Sequence, residues 1–520
     1  MNLMRFFATI HYLKPTQIFY RLFYIFRKKF FPFQAKKAEN PKYNATFYDL
    51  KLQKSPLFSE SYLGCGSFVF LNLAHDFKDE INWNFADFGK LWTYNLNYFE
   101  FLNQKNMNAA EGFALIERFI NDCGTVRDGF EPYPVSLRIV NWIKFLTFNR
   151  IKNEKISKFL NFQCSHLLKN IEYHLLGNHI LENGFALMFG AYFFQDETFY
   201  RAAKKLLVSQ LEEQILPDGG DFELSPMYHQ IILFRLLDTI NLIKNNDWKN
   251  DGLLDFLCRK AGVMAGWLEQ MTFSEGSVPL FNDSAKGIAP DTYELLDYAA
   301  SLGIEKVVKP LKESGYRKFS GSNYELIFDA GKIGADYIPG HAHADMLSFE
   351  LYCSGRPLIV DTGVSTYQIG SKRNFERSTA AHNTVVVNGQ NQSDVWAAFR
   401  VGKRAKITIE KENHNMISAS HDGFKPIVHS RCLTAGADEI LISDTLNPGE
   451  IGQSRLHFHP SVDFTINNTT IEGNNFTVFI ENADKIETEN FEYSSGFNSV
   501  LLGKCVVVTF TNQTKMLFKL

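Results

Sequence analysis

The spacing of apolar positions divides the chain into two halves of different period. From about residue 86 to 310, segments such as Ala109 to Asp122, Val135 to Asn149, Lys155 to Leu176 and Tyr228 to Ile243 carry apolar residues at helical spacing. Short breaks, among them Asp128-Gly129 and Pro217-Asp218-Gly219-Gly220, separate them. Many helices in series with short connections predict antiparallel helix pairs, stacked as a bundle, a solenoid or a toroid; periodicity alone does not choose among these. After about residue 320 the runs shorten and become rich in β-branched and aromatic residues. Tyr324 to Asp329, Ser348 to Cys353, Pro357 to Val360, Asn383 to Asn388, Lys406 to Glu410, Glu439 to Asp444, Phe476 to Glu481 and Val506 to Thr511 read as strands, with Gly, Asn and Asp at the turns. An antiparallel β-sandwich is the architecture expected, joined to the helical part near Leu311 to Ser322.

The first 85 residues form a lead-in of different character. From Pro15 onward, Ile18, Phe19, Leu22, Phe23, Phe26 and Phe30 fall near helical spacing, with Arg21, Arg27, Lys28 and Lys29 between them. A basic aromatic helix of this kind can lie on an anionic membrane surface, or pack on its own protein. Polar residues interrupt the apolar stretches and no small-residue cleavage site stands out, so the segment does not read as a secretory signal. A cytoplasmic or membrane-peripheral location is therefore expected. No stretch approaches the ~18 continuous apolar residues of a membrane span.

The 520 residues exceed one ordinary core, and 45% apolar with 21% charged residues is the balance of a globular protein. A formal charge of −3 argues against bulk capture of nucleic acid. Seven cysteines, scattered and without a Cys-x-x-Cys pair, predict neither a disulfide framework nor a cysteine zinc site, and read as buried free thiols.

Four polar clusters stand out against this background. In Gly177-Asn178-His179-Ile180-Leu181-Glu182-Asn183, a helix would set Asn178 or His179 on the face of Glu182; the same residues also suit a helix start capped by Asn178. Ser225-Pro226-Met227-Tyr228-His229 opens a helical run after a Gly-rich turn. In Gly340-His341-Ala342-His343-Ala344-Asp345, a strand would point both imidazoles to one face, which favours a metal or catalytic role over core filling. The fourth cluster runs from Asp361-Thr362-Gly363 through Tyr367, Arg373 and Arg377 to Ala381-His382-Asn383-Thr384. Its two arginines, four apart, could hold a carboxylate or sulfate, or sit in a solvated loop. His343, Asp361 and His382 together supply a two-histidine, one-carboxylate metal set.

These clusters, in this order, resemble the heparinase II/III family of polysaccharide lyases. The resemblance is carried by Gly340-His-Ala-His-Ala-Asp, Val360-Asp-Thr-Gly and Ala381-His-Asn-Thr, with Asn178-His-x-x-Glu and Tyr228-His upstream. It implies an α/α toroid, an incomplete helical barrel, over about 86–315, then an antiparallel β-sandwich over about 320–520. An active cleft would lie between them, an architecture that alginate and oligoalginate lyases share. It further implies Tyr228 as the catalytic tyrosine, with His179, Asn178 and Glu182 around a uronate carboxylate. His341 would reach in from the β-domain, and His343, Asp361 and His382 would hold a structural zinc ion. His229, Tyr367, Arg373 and Arg377 would contact the substrate, an anionic uronate-containing polysaccharide of glycosaminoglycan type.

β-Elimination removes the proton on C5 of a uronate and expels the oxygen on C4. Amide, imidazole or protonated carboxyl groups must neutralise the carboxylate so that enolate-like charge can develop. Asn178, His179 and a protonated Glu182 meet that need. A free tyrosine titrates near pH ~10, so Tyr228 requires positive charge nearby to act as base; His341 could supply it, or be the base with Tyr228 as acid. An alginate-type lyase, a uronate C5-epimerase and a non-catalytic glycan-binding or capsule-assembly protein remain as alternatives from the same inventory.

Overall fold

A computed structural model describes residues 3–30, 46–78 and 80–520. Its α-helices are α1 (Leu3–Ile10), α2 (Pro15–Phe30), α3 (Lys90–Tyr98), α4 (Ala109–Asp122), α5 (Pro132–Asn149), α6 (Glu154–Leu168), α7 (Gly177–Phe194), α8 (Glu197–Gln214), α9 (Pro226–Lys244), α10 (Leu253–Gln270), α11 (Thr292–Ser301) and, within the second half, the short α12 (Ser371–Glu376). Helix starts follow local chemistry: the side chains of Asn108, Asn153 and Asp196 accept the first free backbone N–H groups of α4, α6 and α8. The run expected to continue as helix to Leu176 stops at Leu168, because Asn170 Nδ2 donates to the His166 carbonyl (2.6 Å) that another turn would need. Helices α5, α7 and α9 are buried on nearly every face, whereas α4 and α8 keep one exposed side. The buried three form the inner wall of the toroid. One apolar core fills this half.

Strands take over at Tyr316. Among the described residues two eight-stranded sheets form the second half, each strand antiparallel to its neighbours. One orders Ile407–Asn413, Met416–Phe424, Ile427–Ala435, Glu439–Thr445, Gln513–Lys519, Phe476–Glu481, Thr470–Gly473 and Phe464–Asn467. The other orders Lys485–Gly496, Ser499–Thr511, Ile451–Phe458, Arg356–Ile359, Phe349–Cys353, Tyr324–Asp329 and Tyr316–Ser320, with Val385–Val387 paired to Ile451–Phe458. Ile440 with Ile442, Met516 with Phe518, and Leu456 with Phe458 point inward at period two and fill a second core between the sheets. All seven cysteines are free thiols; Cys65 is exposed and Cys258 and Cys432 are half-buried, so not every thiol is a core residue.

The N-terminal helices strap the two halves together. Arg5 on α1 pairs with Asp394 (2.6 Å), and the Tyr12 ring lies 3.6 Å from the Arg404 guanidinium, both on the sandwich side. Gln17 on α2 is buried and donates to the carbonyls of Leu175 (3.0 Å) and Tyr337 (3.3 Å). Among the described residues no helix is long and apolar enough to cross a membrane.

Candidate active site

Two helix N-termini open onto a cavity of about 1010 Å³ between the helical half and the sandwich. Helix α7 opens on two positive-φ residues, Leu176 just before it (φ 68°) and Gly177 at its first position (φ 58°). A Cβ on Gly177 would lie 2.6 Å from Glu223 Oε1, so only glycine fits this approach. Asn178 and His179 follow at once and line the cavity. Asn178 does not cap the helix; its backbone N–H (2.8 Å) and its Nδ2 (3.3 Å) both donate to Glu223 Oε1. Helix α9 is capped by Ser225, whose Oγ accepts from Tyr228 N (3.3 Å), with Pro226 in its first turn. This fixes Tyr228 at the cavity wall. The positive ends of both helix dipoles thus point at one space, which favours an anionic occupant.

The sandwich contributes His341 from the loop 340–346, which is not the strand that alternating histidines suggested. The Tyr228 and His341 rings stack with centroids 3.9 Å apart and planes at 29°. His341 Nδ1 lies 2.9 Å from Asp283 Oδ2. A carboxylate can only accept there, so Nδ1 carries the proton and Nε2 keeps its lone pair. Nε2 lies 3.4 Å from Asn178 Nδ2 and 3.5 Å from Glu223 Oε2. Burial lowers the His341 pKa, with Asp283 opposing, and burial raises that of Tyr228, so an uncharged imidazole faces a protonated phenol. Glu223 is held well above the usual carboxylate range by burial and by Asp221 beside it. Next to Asn178, His179 Nδ1 meets Glu172 Oε1 at 3.0 Å, and its ring packs 4.5 Å from that of Tyr133.

Asp283 is the hub that the sequence reading did not single out. Besides His341 it accepts from His343 Nε2 (2.8 Å) and from both terminal nitrogens of Arg373 (2.5 and 2.7 Å). Burial alone would raise its pKa, but Arg373 and then the two histidines carry it well below the carboxylate range. It sits in Phe281-Asn282-Asp283-Ser284, between α10 and α11, and so anchors the histidine loop of one half to the other.

Several expected contacts are corrected by burial. Arg373 is fully enclosed on Asp283, and Arg377 donates to the carbonyl of Ala342 (2.9 Å); neither guanidinium is free to meet a substrate. His229 is a core residue whose Nε2 meets the Met264 carbonyl at 3.0 Å, while its Nδ1 accepts from Asp221 N. Glu182 lies behind the wall, accepting from Arg235 Nε at 3.3 Å; burial pushes its carboxyl up to about 7 against the pull of Arg235. Tyr367 does line the cavity, its hydroxyl 3.3 Å from that of Tyr228. Cations unforeseen as site residues also line it: Arg21 from α2, and Arg400 and Arg404 from the sandwich half. Arg404 is enclosed, yet its Nε and Nη1 have no hydrogen-bond partner and the nearest carboxylate oxygen, on Asp336, is 4.0 Å away.

The residues expected to hold zinc lie close together and fully buried. His382 Nδ1 is 2.7 Å from Asp361 Oδ2, and the His343 and His382 rings are 5.3 Å apart. Among the described residues no three His, Cys, Asp or Glu side chains are converged as a metal centre. The donor chemistry nevertheless fits one: His343 Nδ1, His382 Nε2 and Asp345 Oδ2 are buried without hydrogen-bond partners.

A helical toroid faces a β-sandwich, and a tyrosine and histidines meet in the cleft between them. The chain belongs to the heparinase II/III family: residues 133–301 match its "Heparinase II/III N-terminus" and residues 304–516 its "Heparinase II/III-like, C-terminal" region. It is 22% identical to a heparin-sulfate lyase of Bacteroides stercoris over 65% of this chain and 54% of that protein. It is 25% identical to FtsZ-localized protein C of Caulobacter vibrioides over 52% of this chain and 50% of that protein. The chain spans about half the length of these curated relatives. A crystal structure of heparinase III shares the fold with a TM-score of 0.66 at 16% identity, covering 100% of this chain and 93% of that one.

Proposed function

We propose that the protein is a polysaccharide lyase that cleaves a uronate-containing anionic glycan by β-elimination. The observation that carries this reading is the stack of Tyr228 on an Asp283-held His341, beside Asn178 in the cleft. In this reading Asn178 Nδ2 and His179 bind the uronate carboxylate and let negative charge spread from C5. His341 Nε2 takes the C5 proton, the electron pair forms the C4–C5 double bond, and the C4–oxygen bond breaks. The Tyr228 hydroxyl protonates the departing oxygen, and solvent then returns the proton from His341 to Tyr228. Because the two rings stack, base and acid approach the sugar from one side, which suits a C5 hydrogen and C4 oxygen on the same face. Arg21, Arg400 and Arg404 provide charge for further carboxylates or sulfates along the chain, which favours glycosaminoglycan-type polymers.

The test is a panel of heparan sulfate, hyaluronan, chondroitin and alginate, followed in the near ultraviolet for the unsaturated product. New absorbance with at least one polymer is expected. Deuterium entering C5 from solvent without chain cleavage would instead indicate an epimerase. Binding without either change would indicate a glycan-binding protein.

We also propose that His343, Asp361 and His382, together with Asp345, whose Oδ2 is buried without a partner, hold one Zn²⁺ ion. Bound there, zinc would tie together three segments distant in sequence and stiffen the wall that carries His341. Protein purified without added metal is expected to contain about one zinc per chain, the count a single site of this ligand number implies, and to melt at lower temperature after chelation. Metal-free protein with an unchanged melting curve would end this assignment.

A further inference from the structure

Helix α2 is amphipathic the wrong way round for a segment folded onto its own protein. Its inward side is polar or amphipathic and makes directed bonds to the toroid. Gln17 donates to the Leu175 carbonyl (3.0 Å), Tyr24 Oη to the Ile171 carbonyl (2.5 Å) and Arg27 Nη1 to the Lys169 carbonyl (2.6 Å), and the Tyr20 ring packs 4.6 Å from that of Tyr173. The outward side carries Ile18, Phe19, Leu22, Ile25, Phe26 and Phe30, each between 45% and 64% exposed. Phe7 of α1, 57% exposed, adds another aromatic ring to the same strap. Lone exposed apolar residues need no explanation, but a continuous band of this kind marks an interaction face.

The charges choose the occupant. Neither α1 nor α2 contains an Asp or Glu, and α2 ends on Arg27, Lys28 and Lys29. Two copies packed through this face would set like charges together without a counter-charge. An anionic lipid surface supplies that charge at headgroup level and receives the aromatic band just beneath it. We propose that the outward face of α2 docks the protein on anionic membranes, lying in the interface and not spanning it. The inward hydrogen bonds hold the helix in the folded protein while its apolar face enters the lipid, so docking needs no unfolding. Gln17 and Arg21 of the same helix line the cleft, so docking also brings the cleft to the membrane surface, where a lipid-linked glycan would be presented. That last consequence rests on the function proposed above; the docking does not.

The test is flotation of the full-length protein with vesicles of equal parts phosphatidylcholine and phosphatidylglycerol, alongside vesicles of phosphatidylcholine alone. The parent is expected to float with the anionic vesicles, at least ~10-fold better than with the neutral ones, and to be released by salt. A Phe19→Ser/Leu22→Ser/Phe26→Ser variant removes outward side chains only and should keep the parent's circular dichroism and unfolding curve. It is expected to lose at least ~10-fold in partitioning. Lys28→Glu/Lys29→Glu should weaken binding to anionic vesicles and leave the weak binding to neutral ones unchanged. A parent that stays in solution with anionic vesicles, or a folded triple variant that floats as the parent does, overturns the proposal. So does a parent dimer that the triple variant dissociates while neither form floats, because a second copy then covers the face.

Discussion

Tyr228→Phe is expected to lower turnover by at least ~100-fold, the usual scale for losing a positioned proton donor, on whichever uronate polymer the parent cleaves. The substitution removes one oxygen. That oxygen makes a single long hydrogen bond, 3.3 Å to Tyr367 Oη, so stability should change by no more than about 1 kcal/mol. The ring remains, and with it the stack on His341 that holds both groups at the cleft. Binding of polymer should therefore persist, and the loss should appear in kcat with KM little changed. Burial raises the Tyr228 pKa, so the phenol keeps its proton through neutral and mildly alkaline pH, as an acid catalyst requires. Absorbance of the unsaturated product gives the rate, and a denaturant titration checks the fold. A folded variant with near-parental turnover would remove Tyr228 from the chemistry and with it the acid step.

The halves of the fold were legible because periodicity survives packing. Glu439 to Asp444 and Ala109 to Asp122 were marked by alternation and by helical spacing, and the structure places a strand and a helix there. His341 was legible because paired imidazoles are a costly way to fill a core, and the structure places it in the cleft; Asn178, also in the cleft, was marked by the family resemblance and not by its own pattern. The site was misread where burial alone decides. Arg373 and Arg377 look like surface cations at helical spacing, yet they lie enclosed on Asp283 and on backbone carbonyls. Asp283 itself gave no usable signal, since Asn-Asp-Ser after an apolar stretch is the composition of an ordinary turn. Its role comes from partners 58, 60 and 90 residues away, a separation no local pattern encodes. The inverted polarity of α2 was hidden for a related reason: spacing shows that a helix has an apolar face, and only the structure shows which face meets the protein.

Asp283 should be the most consequential single position outside the reacting groups. Asp283→Ala would leave the Arg373 guanidinium enclosed without a counter-charge and two imidazoles without their acceptor. Breaking one side of a buried pair in this way costs ~3–5 kcal/mol, and the protein is expected to unfold at correspondingly lower denaturant. Asp283→Asn keeps the shape but offers an N–H where donors already point, so it should also destabilise, by ~1–3 kcal/mol. Its turnover should fall at least ~100-fold, because the carboxylate no longer fixes the His341 ring with its proton on Nδ1 and Nε2 bare. Lost stability and lost positioning can be separated by also removing the stranded charge. Asp283→Asn/Arg373→Met should regain part of the stability, since no cation is left unpaired, while turnover stays low, because His341 still lacks its acceptor. The two curves to compare are denaturant unfolding and product absorbance. A double variant that recovers parental turnover along with its stability would show that Asp283 serves only to neutralise Arg373, and that His341 needs no carboxylate to work.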